Sequence, residues 1–452
     1  MQSVHDIYQK EMSKATEGTC QMPLGGGCPN HGEGALNGVC LDSAPHCEQS
    51  VRSKSNLVGN MDKIITDCQQ GSSYFFIDDD VKRLEGSEGS EGSRVQGVQG
   101  VKSSEELKSG IISVPALVDL HVHFREPGNP EKETIKTGVE SAEAGGYGLV
   151  CTMPNLTPVP DCLENLQAEL ALIEEAQNDS MKVIPFGSLT KGRRGKEPAR
   201  FAEMMPYVAG FSDDGNGVED DDVMEECMSR IAALGGLVVA HPEKGEGLES
   251  ESREVERDIR LAAKTGCRLH LCHISTRKSI ELIREAKREG VKVSCETAPH
   301  YLLLEDDEQQ TLRNSLDGRF RMNPPIGTRA DRIALVDALI DGTIDVIATD
   351  HAPHTEEDKR NGANGVVGLE SAFPVMYTHF VRTGLITLDR LVALMSTNGM
   401  KILGMSDCVL PNVVWGVARE YEINPSQFKS KGRSCPFEGM KVFGKVVRRE
   451  AL

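Results

Sequence analysis

From residue 115 onward the chain repeats one pattern eight times. Short apolar runs, LVDLHVHF, YGLVCTM, KVIPFGSL, VAGFSDD, GLVVAHP, RLHLCHIS, KVSCETAPH and DVIATDHAP, alternate with segments of helical period. Apolar runs too short for helices, each followed by an amphipathic segment, make parallel β-α units, and eight such units are the count of a closed (β/α)8 TIM barrel. A doubly wound sheet would also alternate, but no G-x-G-x-x-G follows the first run. An α/β barrel is therefore expected over residues 111–405, with a small, incomplete β-sandwich built from the flanking segments, including 406–452.

The helical segments support this. In EKETIKTGVESAEAGG, Ile135, Val139 and Ala142 fall on one face and Gly145 is a stop signal. In DDVMEECMSRIAALGG, Val223, Cys227, Ile231 and Leu234 are expected to share a face after an acidic first turn. In RKSIELIREAKREG, Ile280, Ile283 and Ala286 repeat the pattern.

Side chains alternate faces along a strand, so parity sorts inward from outward residues. In the first run Val118, Leu120, Val122 and Phe124 share one parity and suit the helix layer; Asp119, His121 and His123 share the other and face the barrel interior. Barrel active sites sit at the C-terminal strand ends. His241 closes its run in parity with Leu237 and Val239, His273 with Leu269 and Leu271, and Asp350 with Val346 and Ala348. His270 has the opposite parity and reads as a packing residue. The fourth run ends FSDDG, offering Asp213 or Asp214. Any one of these alone reads as a hydrogen-bonded core group. Four histidines and two carboxylates recurring at strand ends match a two-metal hydrolytic site with one carboxylate between the ions.

The net charge of −19 argues against nucleic acid or an anionic membrane as partner, because phosphate contacts need clustered Lys and Arg. No apolar run reaches the length of a membrane span, and MQSVHDIYQKEMSKA lacks the apolar stretch of a signal peptide. The 13 cysteines are odd in number, and those from Cys151 onward sit in apolar settings that suit free thiols in a reducing cytoplasm. Residues 1–110 differ in character. EGSEGSEGS and VQGVQGV (85–101) read as a flexible linker, and only YFFIDDDV (74–81) reads as a strand. Cys20, Cys28, Cys40 and Cys47 with His31 and His46 have irregular spacings and no C-x-x-C pair, which weighs against a small zinc site.

The motifs H-V-H-F-R-E-P-G (121–128), T-M-P-N (152–155), F-S-D-D-G (211–215), C-H-I-S-T (272–276), A-P-H-Y-L (298–302), M-N-P-P (322–325), A-T-D-H-A-P-H (348–354) and F-K-S-K-G-R-S-C-P-F-E-G-M (428–440) run in one order to near the end of the chain. Together they resemble class I dihydroorotase of the amidohydrolase superfamily. The resemblance implies a zinc enzyme of pyrimidine synthesis that interconverts (S)-dihydroorotate and N-carbamoyl-L-aspartate. It implies that His121, His123 and Asp350 hold one of two zinc ions, that His241 and His273 hold the other, and that Asp214 rather than Asp213 bridges them. Asp350 would act as general base and then acid. Arg125, Asn155 and His354 would bind the substrate carboxylate, with His123 also touching the substrate. Asn323 and main-chain groups near Asn364 and Gly365 would contact the ring. A homo-oligomer, and association with an aspartate transcarbamoylase, are further implications. Two other readings are an allantoinase- or hydantoinase-like hydrolase and a catalytically silent subunit. Arg125 speaks against the first, and the full ligand set speaks against the second.

Overall fold

The computed structural model describes residues 110–243, 248–306 and 318–450. The chain divides into two units, Met1–Ile64 and Ile65–Leu452, and every described residue belongs to the second. The expected linker at 85–101, the strand at 74–81 and the Cys and His residues between 20 and 47 lie outside the described residues.

All eight apolar runs become strands of one ring. β1 (Ile111–Pro115) precedes it. The ring comprises β2 (Leu117–Val122), β3 (Tyr147–Thr152), β4 (Lys182–Pro185) with its continuation β5 (Gly187–Ser188), β6 (Phe211–Ser212), β7 (Leu237–Ala240), β8 (Arg268–Leu271), β9 (Val293–Thr297) and β10 (Val346–Ile347). Pairing is parallel throughout, in the orders β2-β3-β4 and β10-β9-β8-β7-β6-β5. Two seams close the circle. Phe186 N–H donates to Thr152 O at 2.9 Å where β4 passes into β5. On the other side His123 N–H donates to His351 O at 2.8 Å, beside a parallel bridge between Val122 and His351.

The helices follow as their patterns dictate. α1 (Ile135–Ala144) buries Ile135, Val139 and Ala142 and ends at Gly145. Its Thr134 cap accepts a hydrogen bond from Thr137 N–H. α2 (Leu163–Ala176) packs after β3. α3 (Asp221–Ala233) is capped by Asp220, but its buried face is Met224, Cys227, Met228 and Ile231. Val223 is half-buried and Leu234 is exposed. Cys227 and Ile231 are buried as expected, Met224 and Met228 complete the face in place of Val223, and Leu234 is the C-cap residue past the helix end. α4 (Leu248–Thr265), α5 (Arg277–Arg288) and α6 (Arg329–Asp341) complete the main helix layer, with Ile280, Ile283 and Ala286 of α5 buried as anticipated.

The parity of β2 needs correction. Its register against β3 slips between Asp119 and Val122, so one extra residue is absorbed there. Val118 and Leu120 consequently do not face the helices. They join Leu149, Cys151, Ile184, Leu237, Val239 and Val346, drawn from strands around the ring, in the barrel core. Beyond the slip, Phe124 packs over Gly138 of α1, leaving no room for a side chain there. The slip allows apolar core residues and both histidines to point inward from a single strand.

A segment near the C-terminus closes the floor of the barrel. Met400, in the helix Asn398–Ile402, enters the core cluster, and Gly399 packs so closely on Val118 that a Cβ would lie 2.9 Å from it. Ser396 Oγ donates to Ala116 O at 2.8 Å, Asn398 Nδ2 to Asp345 O at 2.8 Å, and Arg268 to Ile402 O. These contacts pin the starts of β2, β10 and β8.

Both flanks contribute to a small sheet. β11 (Asn412–Gly416) lies between β1 and β14 (Lys445–Arg449), all antiparallel, and β12 (Tyr421–Glu422) pairs with β13 (Lys441–Val442). β11 shows no alternation because Val413, Val414 and Trp415 are all buried, with Trp415 stacked on Phe373 at 3.9 Å. The eight described cysteines are free thiols. Among the described residues no helix is long and apolar enough to cross a membrane.

Candidate metal centre and active site

Every candidate ligand converges at the C-terminal mouth of the barrel. His121 comes from β2 and His123 from just beyond it, Asp214 from the turn after β6, His241 from just beyond β7, His273 from just beyond β8 and Asp350 from just beyond β10. Asp214 is at the centre. Its Oδ1 lies 3.3 Å from His121 Nε2, 3.2 Å from His241 Nδ1 and 3.8 Å from His273 Nε2, while Oδ2 lies 3.5 Å from His123 Nε2. Asp350 Oδ1 is 3.2 Å from His123 Nε2 and 3.5 Å from His121 Nε2. Asp213 turns away, accepting from Leu189 N at 2.8 Å, Thr190 N at 3.1 Å and the Thr190 hydroxyl.

Parity did not carry His273 inward, since Cys272 and not Leu271 lies in the barrel core, whereas Asp350 keeps the parity of the core residue Val346. His273 has φ +30° and Asp350 φ +47°, conformations that non-glycine residues rarely adopt. Each lies beyond its strand, and at His273 the left-handed turn re-aims the side chain. On β8 the inward residues before that turn are His270 and Cys272, so His270 is not merely a packing residue. Its Nε2 is 3.1 Å from Glu296 Oε2, and Glu296 Oε1 is 2.7 Å from His121 Nδ1. Glu296, His270, Glu243 and Arg193 were not singled out by sequence reasoning. The signal for Glu296 was an acidic residue inside the apolar run KVSCET. For Glu243 it was a carboxylate two residues after His241.

The electrostatics follow from burial opposed by pairing. Burial alone would raise Asp214, but the charge of His121 beside it, with the His241 and His273 imidazoles close by, holds it well below the usual carboxylate range. Asp350 is likewise held low against burial by His121 and His123. Glu296 is drawn down to about 2, against burial, by His121 and His270. Asp213, whose hydrogen bonds do not offset its burial, is pushed up to about 6. Burial lowers His300 to about 4; the charges of Asp350 and His273 reach it.

These residues fit a metal. His121 Nε2 and Asp214 Oδ1 are buried and make no hydrogen bond, although they face each other. The ring nitrogens His241 Nδ1 and His273 Nε2 meet at 2.8 Å. His121, His123 and Asp350 bring one donor atom each within 4.8 Å of one another, as do His121, Asp214 and His273. Imidazole and carboxylate donors in this number suit a borderline divalent ion such as zinc.

Charged and polar groups stand around this centre. Arg125, at φ +57°, donates through Nε to Pro353 O at 3.3 Å, and its Nη2 lies 3.3 Å from His354 Nε2. Burial lowers Arg125 to about 10, so it remains charged at neutral pH. Asn155 Oδ1 lies 2.9 Å from His123 Nδ1. Arg193 donates to the Asp214 carbonyl, and Asn216 Nδ2 donates back to Arg193 O at 2.9 Å. Asn323 donates to Glu243. Gly365 is buried at φ +130°, where a Cβ would strike Ala352 O. Its N–H donates to Arg321 O at 3.0 Å and its carbonyl accepts from Lys359 Nζ at 2.7 Å, so both main-chain groups are engaged within the protein. Asn364 beside it is exposed.

Residues 110–252 match the family model described as Dihydro-orotase-like. A dihydroorotase of Bacillus licheniformis is 40% identical over 371 residues, covering 74% of this chain and 84% of that protein. A dihydroorotase of Bacillus cereus is 40% identical over 368 residues, covering 74% and 85%. Among solved structures, L-hydantoinase (dihydropyrimidinase) from Arthrobacter aurescens aligns with a TM-score of 0.66 at 26% identity, over 75% of this chain and 84% of that one. Dihydropyrimidinase from Brevibacillus agri aligns with a TM-score of 0.64 at 20% identity, over 76% and 84%, a likeness of fold.

Proposed function

This chain belongs to the dihydroorotase family, and on that premise we propose that it performs the reversible hydrolysis of (S)-dihydroorotate to N-carbamoyl-L-aspartate, in pyrimidine synthesis, at a centre holding two zinc ions. It is a hydrolase of cyclic amides acting on a small molecule. The observation that carries the reading is the convergence of four histidines on Asp214, with Asp350 beside two of them and the Arg125 guanidinium beside His354.

We assign His121, His123 and Asp350 to one ion, His241 and His273 to the other, and Asp214 to the bridge between them. Zinc bound there would supply Lewis acidity, easing deprotonation of a water and polarising the scissile carbonyl. The chain's own groups do the rest. Asp350, ionised and buried, accepts the proton of the attacking water at Oδ1 and returns it to the departing ring nitrogen. Glu296 holds His121, and Asn155 holds His123, in fixed ring orientations. Arg125, with Asn155 and His354, binds the substrate carboxylate through its planar fork. Asn323 reads the ring, and the loop carrying Asn364 and Gly365 lies against it.

The same reading takes residues 111–405 as the hydrolase domain, with 1–110 and 406–452 as its flanks. It sets the enzyme in the cytoplasm, which the free thiols support, as a homo-oligomer with aspartate transcarbamoylase as a candidate partner. The test is a dihydroorotate assay before and after chelation and zinc return, with Asp350→Asn as the inactive control. Activity lost on chelation and restored by zinc is the expected result. Faster turnover of dihydrouracil or allantoin than of dihydroorotate would sink the substrate assignment.

A further inference from the structure

Glu243 follows His241 by two residues, and none of the roles above uses it. One of its oxygens, Oε2, lies 3.1 Å from His241 Nε2 and also accepts a hydrogen bond from Asn323 Nδ2. The side chain is only 12% exposed, so the carboxylate has exchanged most of its water for these two donors. Its backbone is held as well. Glu243 N–H donates to His241 O at 3.0 Å, and Gly217 sits so close that a Cβ there would lie 3.1 Å from the Glu243 carbonyl oxygen.

Each contact has a chemical consequence. A proton on His241 Nε2, donated to Glu243, leaves the lone pair on Nδ1. Nδ1 is the atom that lies 3.2 Å from Asp214 Oδ1 and 2.8 Å from His273 Nε2. An ionised carboxylate only accepts, so it also fixes which end of the Asn323 amide faces it. The NH2 end is committed to Glu243, and Oδ1 is left as the end available to a ligand.

We propose that Glu243 is a positioning residue that couples metal holding to substrate reading. With one oxygen it sets the tautomer of His241 and the orientation of the Asn323 amide, so that Asn323 presents an acceptor to a ring N–H. The inference rests on the dihydroorotase reading for its substrate half alone. The metal half concerns His241 whatever the substrate.

Three variants of the full chain test it. Glu243→Ala removes both contacts. Glu243→Asp, one methylene shorter, withdraws the carboxylate from both and serves if the alanine variant does not fold. Glu243→Gln can set its carbonyl oxygen where Oε2 stands and keep both. Metal-free protein is titrated with zinc against a chromophoric chelator, and KM and kcat for dihydroorotate and a ring-N-methylated analogue are measured at saturating zinc. Glu243→Ala or Glu243→Asp should weaken zinc roughly 10- to 100-fold, the usual range for loss of a ligand's orienting partner. Either should also raise KM more than it lowers kcat and narrow the preference for the unmethylated ring. Glu243→Gln should recover most of the zinc affinity and the KM. Unchanged zinc competition in folded Glu243→Ala or Glu243→Asp overturns the metal half, and unchanged KM and N–H preference overturn the substrate half. Glu243→Gln behaving as Glu243→Ala overturns both. A wild-type chain that binds zinc but does not turn over dihydroorotate would instead count against the function proposed above.

Discussion

At the scale of single residues, charge and hydrogen-bond geometry separate groups that look alike in the sequence. Asp213 and Asp214 are neighbours in one turn, yet one is clasped by Thr190 and the other sits among four imidazoles. Nothing in D-D-G distinguishes them; the difference is made by the loop at 189–190, distant in sequence. Arg125 differs from a lysine in a similar way, because its value lies in a fork anchored on Pro353 O and beside His354. Arg125→Lys keeps the charge and loses the two-point grip, a difference of about 1–2 kcal/mol, or roughly 5- to 30-fold in KM for dihydroorotate. Turnover of dihydrouracil, which has no carboxylate, should change little. Steady-state kinetics with both substrates checks this, and an equal loss on both would remove Arg125 from carboxylate binding.

At the scale of elements, the helix layer holds a carboxyl group that ties folding to pH. Glu169 on α2 is buried and accepts from Thr152 Oγ1 at 2.7 Å, while its other oxygen has no hydrogen-bond partner. Burial raises it from 4.5 to about 8. The folded chain therefore holds this proton more tightly than the unfolded chain does. The associated stability is complete below pH 4.5 and is lost as pH rises toward 8. Urea unfolding of Glu169→Gln should show a flatter profile across that window. The variant should gain on the wild type by a few kcal/mol as pH rises, because each tenfold difference in proton affinity is worth about 1.4 kcal/mol. Parallel profiles would show that Glu169 ionises freely in the fold. The strands and α1 and α5 were legible because apolar spacing is a local signal. Two features were not. The slip in β2 depends on how β3 pairs with it, and the positive φ angles at His273 and Asp350 have no glycine in the sequence to mark them. Parity thus placed the candidate ligands His241 and Asp350 with the core residues Val239 and Val346, whereas His273 broke the parity of its run and is aimed by a backbone turn. β11 escaped notice because burial on both faces erases the alternation by which a strand is read.

At the scale of the whole molecule, the barrel's two ends do different work. The mouth concentrates polar groups, positive φ angles and the loops that hold them. The floor is closed by apolar packing from Met400 and by three bonds from 396–402 and β8 that reach Ala116, Asp345 and Ile402. The class of fold follows from the eightfold alternation, whereas the floor could not have been foreseen, since 398–402 reads as an ordinary helix until its neighbours are known. That single segment joins strands far apart in sequence, and this has a consequence for how the molecule breathes. Cooperative opening units are sets of elements whose contacts must break together. The amides of β2, β8 and β10 and of 398–402 should therefore exchange with solvent deuterium as one slow group, with one shared opening free energy, while the loops at the mouth exchange earlier and independently. Ser396→Ala should speed that whole group at once rather than the nearest amides alone. A chain fastened this way can reshape its catalytic rim without loosening the floor.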